Sequence, residues 1–180
     1  AIALALGLRQ GEALGLQWAD VDLQAGSITV YRSRQRPKWA HGCGDTCSHR
    51  HGGHCPQRKA LRKDTAPTKS RAGKRTIGLP ERLVSLLRHH KDIQDAERRN
   101  AGSLWTEGGW VFTNPTGAPV NPRTDYTEWK RLLKAACLRD APLHDARHTA
   151  ATVLLLLGVP DRAVMGLMGW SKAEMMTRYQ

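Results

Sequence analysis

Residues 142–155 read PLHDARHTAATVLL, so a helix about to bury a row of leucines begins with two histidines and an arginine. A helix N-terminus carries partial positive charge and favours acids in its first turn, which makes cations there costly unless an anion joins them. His144 and Arg147 are three residues apart and therefore share one face of that turn. The pattern predicts an anion at this end of the helix. A second reactive set occupies HGCGDTCSHRHGGHCPQR, residues 41–58, where Cys43, Cys47 and Cys55 stand among His41, His49, His51 and His54. Three local thiols cannot pair off, whereas three thiolates and one imidazole make an ordinary tetrahedral zinc set. The segment predicts a structural zinc held by Cys43, Cys47, Cys55 and His51, the histidine chosen because three residues separate it from Cys55. Free surface thiols are the alternative reading.

The elements that must position these groups follow from pattern and charge. The 180 residues carry 28 Lys and Arg against 16 Asp and Glu, a net charge of +12, with 40% apolar residues, enough for one packed domain. From Arg32 to Arg75 there are thirteen Lys or Arg and only two acids, Asp45 and Asp64. Such a run points to an acidic polymer as partner, the plain alternative being a solvated, disordered loop. SITVYRS, Ser27 to Ser33, and KRTIGLP, Lys74 to Pro80, read as strands. The connection between them is too long for a hairpin loop and predicts a functional or disordered insertion, at about residues 35–65. A helix with Leu83, Leu86 and Leu87 on one face runs from Glu81 toward Asn100, and GWVFTN adds an extended segment. Asn121 and Pro122 start a helix that carries Tyr126, Trp129, Leu132, Leu133, Ala136 and Cys137 on its core face. Gly158 and Pro160 end the helix of His144, PDRAVMGLMG makes another, and SKAE predicts a capping box at Ser171 for a last helix that carries Tyr179. The sum is an α+β domain over residues 1–180, mostly helical with a small antiparallel sheet. No apolar run reaches the length of a membrane span, and the first residues lack the features of a signal peptide, so a soluble, cytoplasmic protein is expected. Because the chain opens inside a helical pattern with no N-cap, it is expected to be a fragment of a longer protein.

Three stretches, GLRQGEALGLQWADVDL at residues 7–23, HDARH at 144–148 and LMGWSKAEMMTRYQ at 167–180, together and in this order resemble the catalytic domain of the tyrosine recombinases, the phage integrase family. TKSRAGKRTIGLP is similar to the hairpin that delivers that family's lysine, so the resemblance covers essentially the whole chain. The basic, cysteine-bearing insertion further resembles integrases of actinobacterial mobile elements.

The resemblance implies an active site of Arg9, Lys69, His144, Arg147, Trp170 and Tyr179, with Trp170 where the family has histidine or tryptophan. It implies a site-specific recombinase that breaks and rejoins DNA strands through a 3′-phosphotyrosyl intermediate, for integration or excision of a mobile element. The chemistry suits the residue types. Two guanidiniums can hold the non-bridging oxygens of a phosphodiester in its transition state, and a phenol of pKa about 10 needs help to ionise. A lysine can protonate the leaving 5′-oxygen, which leaves catalysis without any cofactor. Lys74, on the same hairpin, is the nearest rival to Lys69. The scissile phosphate would be the anion expected at His144 and Arg147. The implied partner is double-stranded DNA at attachment sites, bound by a tetramer when full length and by a monomer as this fragment, at the nucleoid and not at a membrane. Alternatives are a non-catalytic, zinc-stabilised DNA-binding module, which needs neither Tyr179 nor the His144 and Arg147 pair, and a type IB topoisomerase-like enzyme.

Overall fold

Ser27–Val30 alternates between apolar and hydroxyl side chains, and in the computed structural model it becomes the middle strand of the sheet beneath the site. The structure describes residues 2–44, 46–68 and 71–175. The sheet joins β1 (Val21–Asp22), β2 (Ser27–Val30) and β7 (Arg75–Gly78) in antiparallel order β1-β2-β7, the four intervening strands forming a separate ribbon. Ile28 pairs with Ile77 on the buried face, while Thr29 and Thr76 face outward with their hydroxyls 3.0 Å apart. Alternation of period two thus sorts core from surface.

The long connection between the two strands is neither a simple loop nor one strand pair. The strand reading of residues 27–33 breaks at Tyr31, and the chain continues as β3 (Arg32–Arg34) and β4 (Trp39–Ala40) before returning as β5 (Lys59–Ala60) and β6 (Thr65–Pro67). β3 pairs with β6 and β4 with β5, so the insertion is a nested antiparallel ribbon whose far end carries the cysteines. Val30 faces Arg75 and Arg32 faces Pro67 across the ladder, and between them the Thr68 N–H donates to the Tyr31 carbonyl at 3.3 Å.

The helices are α1 (Ile2–Leu6), α2 (Gln10–Leu14), α3 (Glu81–Ala101), α4 (Pro122–Ala135), α5 (Leu143–Leu156) and α6 (Asp161–Met168). One core cluster gathers Ile2, Leu6, Leu8 and Leu16 against the sheet's Ile28, Val30 and Ile77 and against Leu83 and Leu87 of α3. A second, of Ala150, Ala151, Val164, Met168 and Trp170, fills the join of α5 and α6. Leu86 is exposed, because Val84 takes the buried position beside Leu83 and Leu87. The expected extended segment GWVFTN bridges at Trp110 to Gln17 and at Thr113 to Pro119.

Two expectations for the helix of residues 122–137 are corrected. Asn121 caps it as predicted, its side chain accepting from the Arg123 N–H at 2.8 Å. The helix stops at Ala135, however, and Cys137 sits in the left-handed region at φ 53°, exposed, with the Leu138 N–H donating back to the Leu133 carbonyl. That closing bond rotates Cys137 off the core face, and of the predicted apolar row Leu133 is buried while Leu132 is exposed. Beyond Gly169, which closes α6 in the left-handed conformation, a 3-10 turn covers Ala173–Met175. The expected last helix past Met175 lies outside the described residues. Among the described residues no helix is long and apolar enough to cross a membrane.

Candidate active site and metal cluster

Arg9 is the N-cap of α2, and Glu12 closes the first turn on it, accepting from the Arg9 backbone N–H at Oε2, 3.0 Å away, and from the Arg9 guanidinium at Oε1, 2.6 Å away. Glu12 is buried and also accepts from Arg75 Nη2 at 3.0 Å, while Arg75 Nε donates to the Leu167 carbonyl at 2.7 Å. One carboxylate thus ties the start of α2 to β7, and through Arg75 to the end of α6. Burial alone would raise the Glu12 carboxyl, but the hydrogen bond and charge of Arg75, joined by the donors of Arg9, outweigh it and hold the group below the usual 4.5.

Arg147, 3% exposed, reaches from the first turns of α5 in the opposite direction. Its Nη1 donates to the Gly7 carbonyl and its Nη2 to the Met168 carbonyl, and its guanidinium carbon stands 5.7 Å from the centroid of the Trp170 ring. Gly7 is required at this staple. Its φ is +59°, and a Cβ there would come within 2.4 Å of the Met168 side chain. The guanidinium plane is therefore fixed by backbone from two elements before any ligand arrives.

These anchors leave a cleft of about 250 Å³ lined by Leu8, Arg9, Gln10, Arg36, Tyr126, Pro142, Leu143, His144 and Arg147. Gln10 Nε2 holds its wall by donating to the Pro122 carbonyl at 2.7 Å and to Asp125 Oδ2 at 2.8 Å. His144 packs edge-on against His148, ring centroids 4.8 Å apart. Burial, then the charges of His148, Arg147 and Arg9, hold the His144 imidazole below its ordinary 6.5, so it is neutral at neutral pH and available to accept a proton. The cleft can do one thing well, which is to hold an anion between fixed guanidiniums beside a neutral imidazole.

Of the six catalytic residues expected from the sequence, the structure brings Arg9, His144 and Arg147 to this cleft and places Trp170 against Arg147. Lys69 and Tyr179 lie outside the described residues. Lys74, the rival to Lys69, has its ammonium 5.0 Å from the Tyr31 ring. Sequence reasoning missed Glu12, although a glutamate at the third position of a helix is placed to accept from the N-cap backbone N–H. It also missed Arg36, which no local spacing marks and which reaches the cleft because the ribbon docks on α2. That docking uses Gly11 and Gly15, where a Cβ would meet Ser33 Oγ at 2.3 Å and the Arg32 carbonyl at 3.1 Å respectively.

At the far end of the ribbon the ligand atoms of His41, Cys43, Cys47 and Cys55 all lie within 4.8 Å of one another. The expected fourth partner, His51, is not in the group and is corrected to His41. An extended chain puts residues two apart on one side, which sends His41 and Cys43 inward together as the chain leaves β4. His51 instead starts the 3-10 turn Gly52–His54, whose His54 N–H donates to the His51 carbonyl at 2.9 Å. His41 Nδ1 lies 3.2 Å from Cys47 Sγ. Donors from Cys47, its backbone N–H foremost, pull the Cys43 thiol down to about 6.

The sequence profile of the phage integrase family matches residues 55–180. The chain is 44% identical to an integrase of Saccharopolyspora erythraea over 99% of its own length and 48% of the relative's. It is 31% identical to a XerC-like tyrosine recombinase of Caldanaerobacter subterraneus, over 94% of this chain and 41% of that one. The chain therefore spans about half the length of the curated relatives it matches. Among solved structures, the Tn1549 transposon integrase superposes with a TM-score of 0.68 at 20% identity, over 99% of this chain and 51% of that one. The XerA recombinase does so with 0.64 at 22% identity, over 98% and 50%. The helices packed on a small antiparallel sheet are thus the fold of a recombinase catalytic domain, and by sequence the chain belongs to the phage integrase family of tyrosine recombinases.

Proposed function

We propose that this chain is the catalytic part of a site-specific DNA recombinase that integrates or excises a mobile element, cutting and rejoining strands through a 3′-phosphotyrosyl bond. The observation that carries the reading is the convergence of Arg9, His144 and Arg147 on one cleft of a size and charge suited to a phosphodiester. Arg9 and Arg147 hold the non-bridging oxygens and become more favourable as charge accumulates there in the transition state. The Tyr179 phenolic oxygen attacks phosphorus, its proton passing to the neutral His144 imidazole directly or through water. The bond from phosphorus to the 5′-oxygen breaks, and the Lys69 ammonium protonates that oxygen as it leaves. Trp170 supplies an indole N–H to a phosphate oxygen and packs the Arg147 guanidinium. A 5′-hydroxyl from another strand then reverses the step, so the bond energy is conserved and the balance needs neither nucleotide nor metal.

The partner is double-stranded DNA at attachment sites, a reading supported by the solved complexes of the Tn1549 integrase with transposon right-end DNA and of XerH with its difH substrate. The full-length protein acts as a tetramer on paired sites at the nucleoid, and the present span alone is a monomer. The test uses full-length protein on nicked DNA that carries candidate sites. A covalent protein–DNA adduct resistant to SDS should form, and Tyr179→Phe should abolish it with DNA binding nearly intact. An adduct of undiminished yield in that variant overturns the assignment.

A further inference from the structure

We infer that the ribbon tip is a structural metal site for a thiophilic divalent ion of the zinc class, held by His41 Nδ1 and the Sγ atoms of Cys43, Cys47 and Cys55. The four atoms lie within 4.8 Å of one another and come from both sides of the ribbon end. Bonds of about 2.3 Å to sulfur and 2.0 Å to nitrogen give tetrahedral edges of about 3.5–3.8 Å, so the cluster needs only a small contraction to close on an ion. Three thiolates with one imidazole select zinc over the oxygen-seeking magnesium and calcium. Four protein ligands leave no open position, which makes the ion structural.

The surroundings require such an ion. Among the described residues from 35 to 65 only Cys55 is buried, at 2% exposure, and no apolar cluster of the protein includes this segment. The ladder at the tip is two residue pairs, Trp39 with Ala60 and Ala40 with Lys59, with Arg58 over the Trp39 ring beside it, too short a ladder to stand alone in water. Backbone nonetheless approaches backbone closely inside it: a Cβ on Gly42 would come within 2.0 Å of the Gln57 carbonyl, and one on Gly52 within 2.6 Å of the Trp39 carbonyl. A segment with so little apolar burial can hold that packing when metal-binding free energy acts as local folding free energy. Each bound thiol gives up its proton to solvent and each sulfur donates a pair to the ion, with no change of redox state. The site stands at the opposite end of the ribbon from the cleft, so the ion orders the loop and takes no part in strand exchange.

The experiment measures metal in the intact protein purified under reducing conditions, then exchanges it for cobalt(II). One zinc per chain is expected, and the cobalt form should show the intense visible bands of tetrahedral coordination together with thiolate charge transfer. Cys47→Ser and His41→Ala should each weaken cobalt binding by more than the roughly 10–100-fold that a merely supporting residue costs. His51→Ala should leave it within a few-fold. Chelation should open residues 36–63 to protease while the rest of the domain stays resistant. Absence of stoichiometric zinc, a cobalt spectrum without thiolate bands, or metal retained by His41→Ala and lost by His51→Ala would each overturn the site. None of these readouts depends on recombination, so the metal assignment and the recombinase assignment fail separately.

Discussion

Glu12 shows how one buried carboxylate organises a site built from cations. It neutralises part of the Arg9 and Arg75 charge, and with Arg147 beside them the region still keeps a net positive charge for a phosphate. Removing one member of a buried ion pair strands the other, at a cost of about 3–5 kcal/mol. Glu12→Gln keeps the volume and one acceptor, so we expect destabilisation on the order of 3 kcal/mol, read as a lower urea midpoint at neutral pH. The pH dependence has a definite sign. In the unfolded chain Glu12 takes up its proton near the usual 4.5, and in the folded protein only at lower pH. Between those values the unfolded state binds more protons, so the contribution of Glu12 is present above the unfolded value and is lost as pH falls through the folded one. The wild-type protein should therefore lose stability below about 4.5 more steeply than Glu12→Gln, and parallel pH curves for the two would refute this account. At this scale much was legible in the sequence. His144 and Arg147 declare themselves as basic residue types at a helix's start, where acids are the rule, whereas the choice of His41 over His51 depends on strand direction at the ribbon tip, which the crowd of histidines hides.

Helices and strands were legible where periodicity was strong and illegible where the chain closes without its usual residue. α3 follows its leucines, but α5 buries Ala146, Ala150 and Ala151 and leaves Leu156 and Leu157 exposed, and α4 ends at Ala135 with Cys137 beyond it in a left-handed turn that would normally be announced by glycine. The ribbon was hidden for a different reason: its strands are two or three residues long, too short for any alternation to mark them. What the sequence does carry is the pair Gly11 and Gly15, one turn apart along α2 and its C-cap, and their role is now clear. They let β3 lie against the helix, and Arg36 enters the cleft on the chain that follows. Gly11→Ala would ordinarily strengthen a helix by about 1 kcal/mol. Here the new methyl would meet Ser33 Oγ at 2.3 Å and the Arg34 carbonyl at 2.7 Å, and the second of these is backbone. We expect a net destabilisation of about 1–3 kcal/mol, the usual range for overpacking. Gly78→Ala, with open space around its Cβ, should change the thermal midpoint little and serves as control. Equal midpoints for the two variants would mean that the ribbon is not seated on α2.

For the molecule as a whole, the proposed function would divide two kinds of DNA contact between the cleft and the basic ribbon. The cleft would address one phosphate, and its cations are fixed by Glu12, Gly7 and Met168. The ribbon spreads Arg50, Arg58, Lys59, Arg62 and Lys63 on its surface, of which Arg58 packs over Trp39 and Arg62 donates to the Arg36 carbonyl. Lys59 and Lys63 are exposed ammonium groups, suited to meet DNA backbone without reading bases. Their contribution would then be release of condensed counterions, which appears as the slope of binding against salt. The double variant Lys59→Ala, Lys63→Ala in the full-length protein should weaken binding to specific and unrelated DNA alike. Its log–log salt slope should fall by about 0.9 for each phosphate no longer neutralised, up to about 1.8 for both. Adduct formation through Tyr179 should still occur at low salt, because neither lysine reaches the cleft. A weakening confined to one DNA sequence, or an unchanged slope, would show that these lysines do not meet the phosphate backbone and that the excess charge of the ribbon serves another purpose.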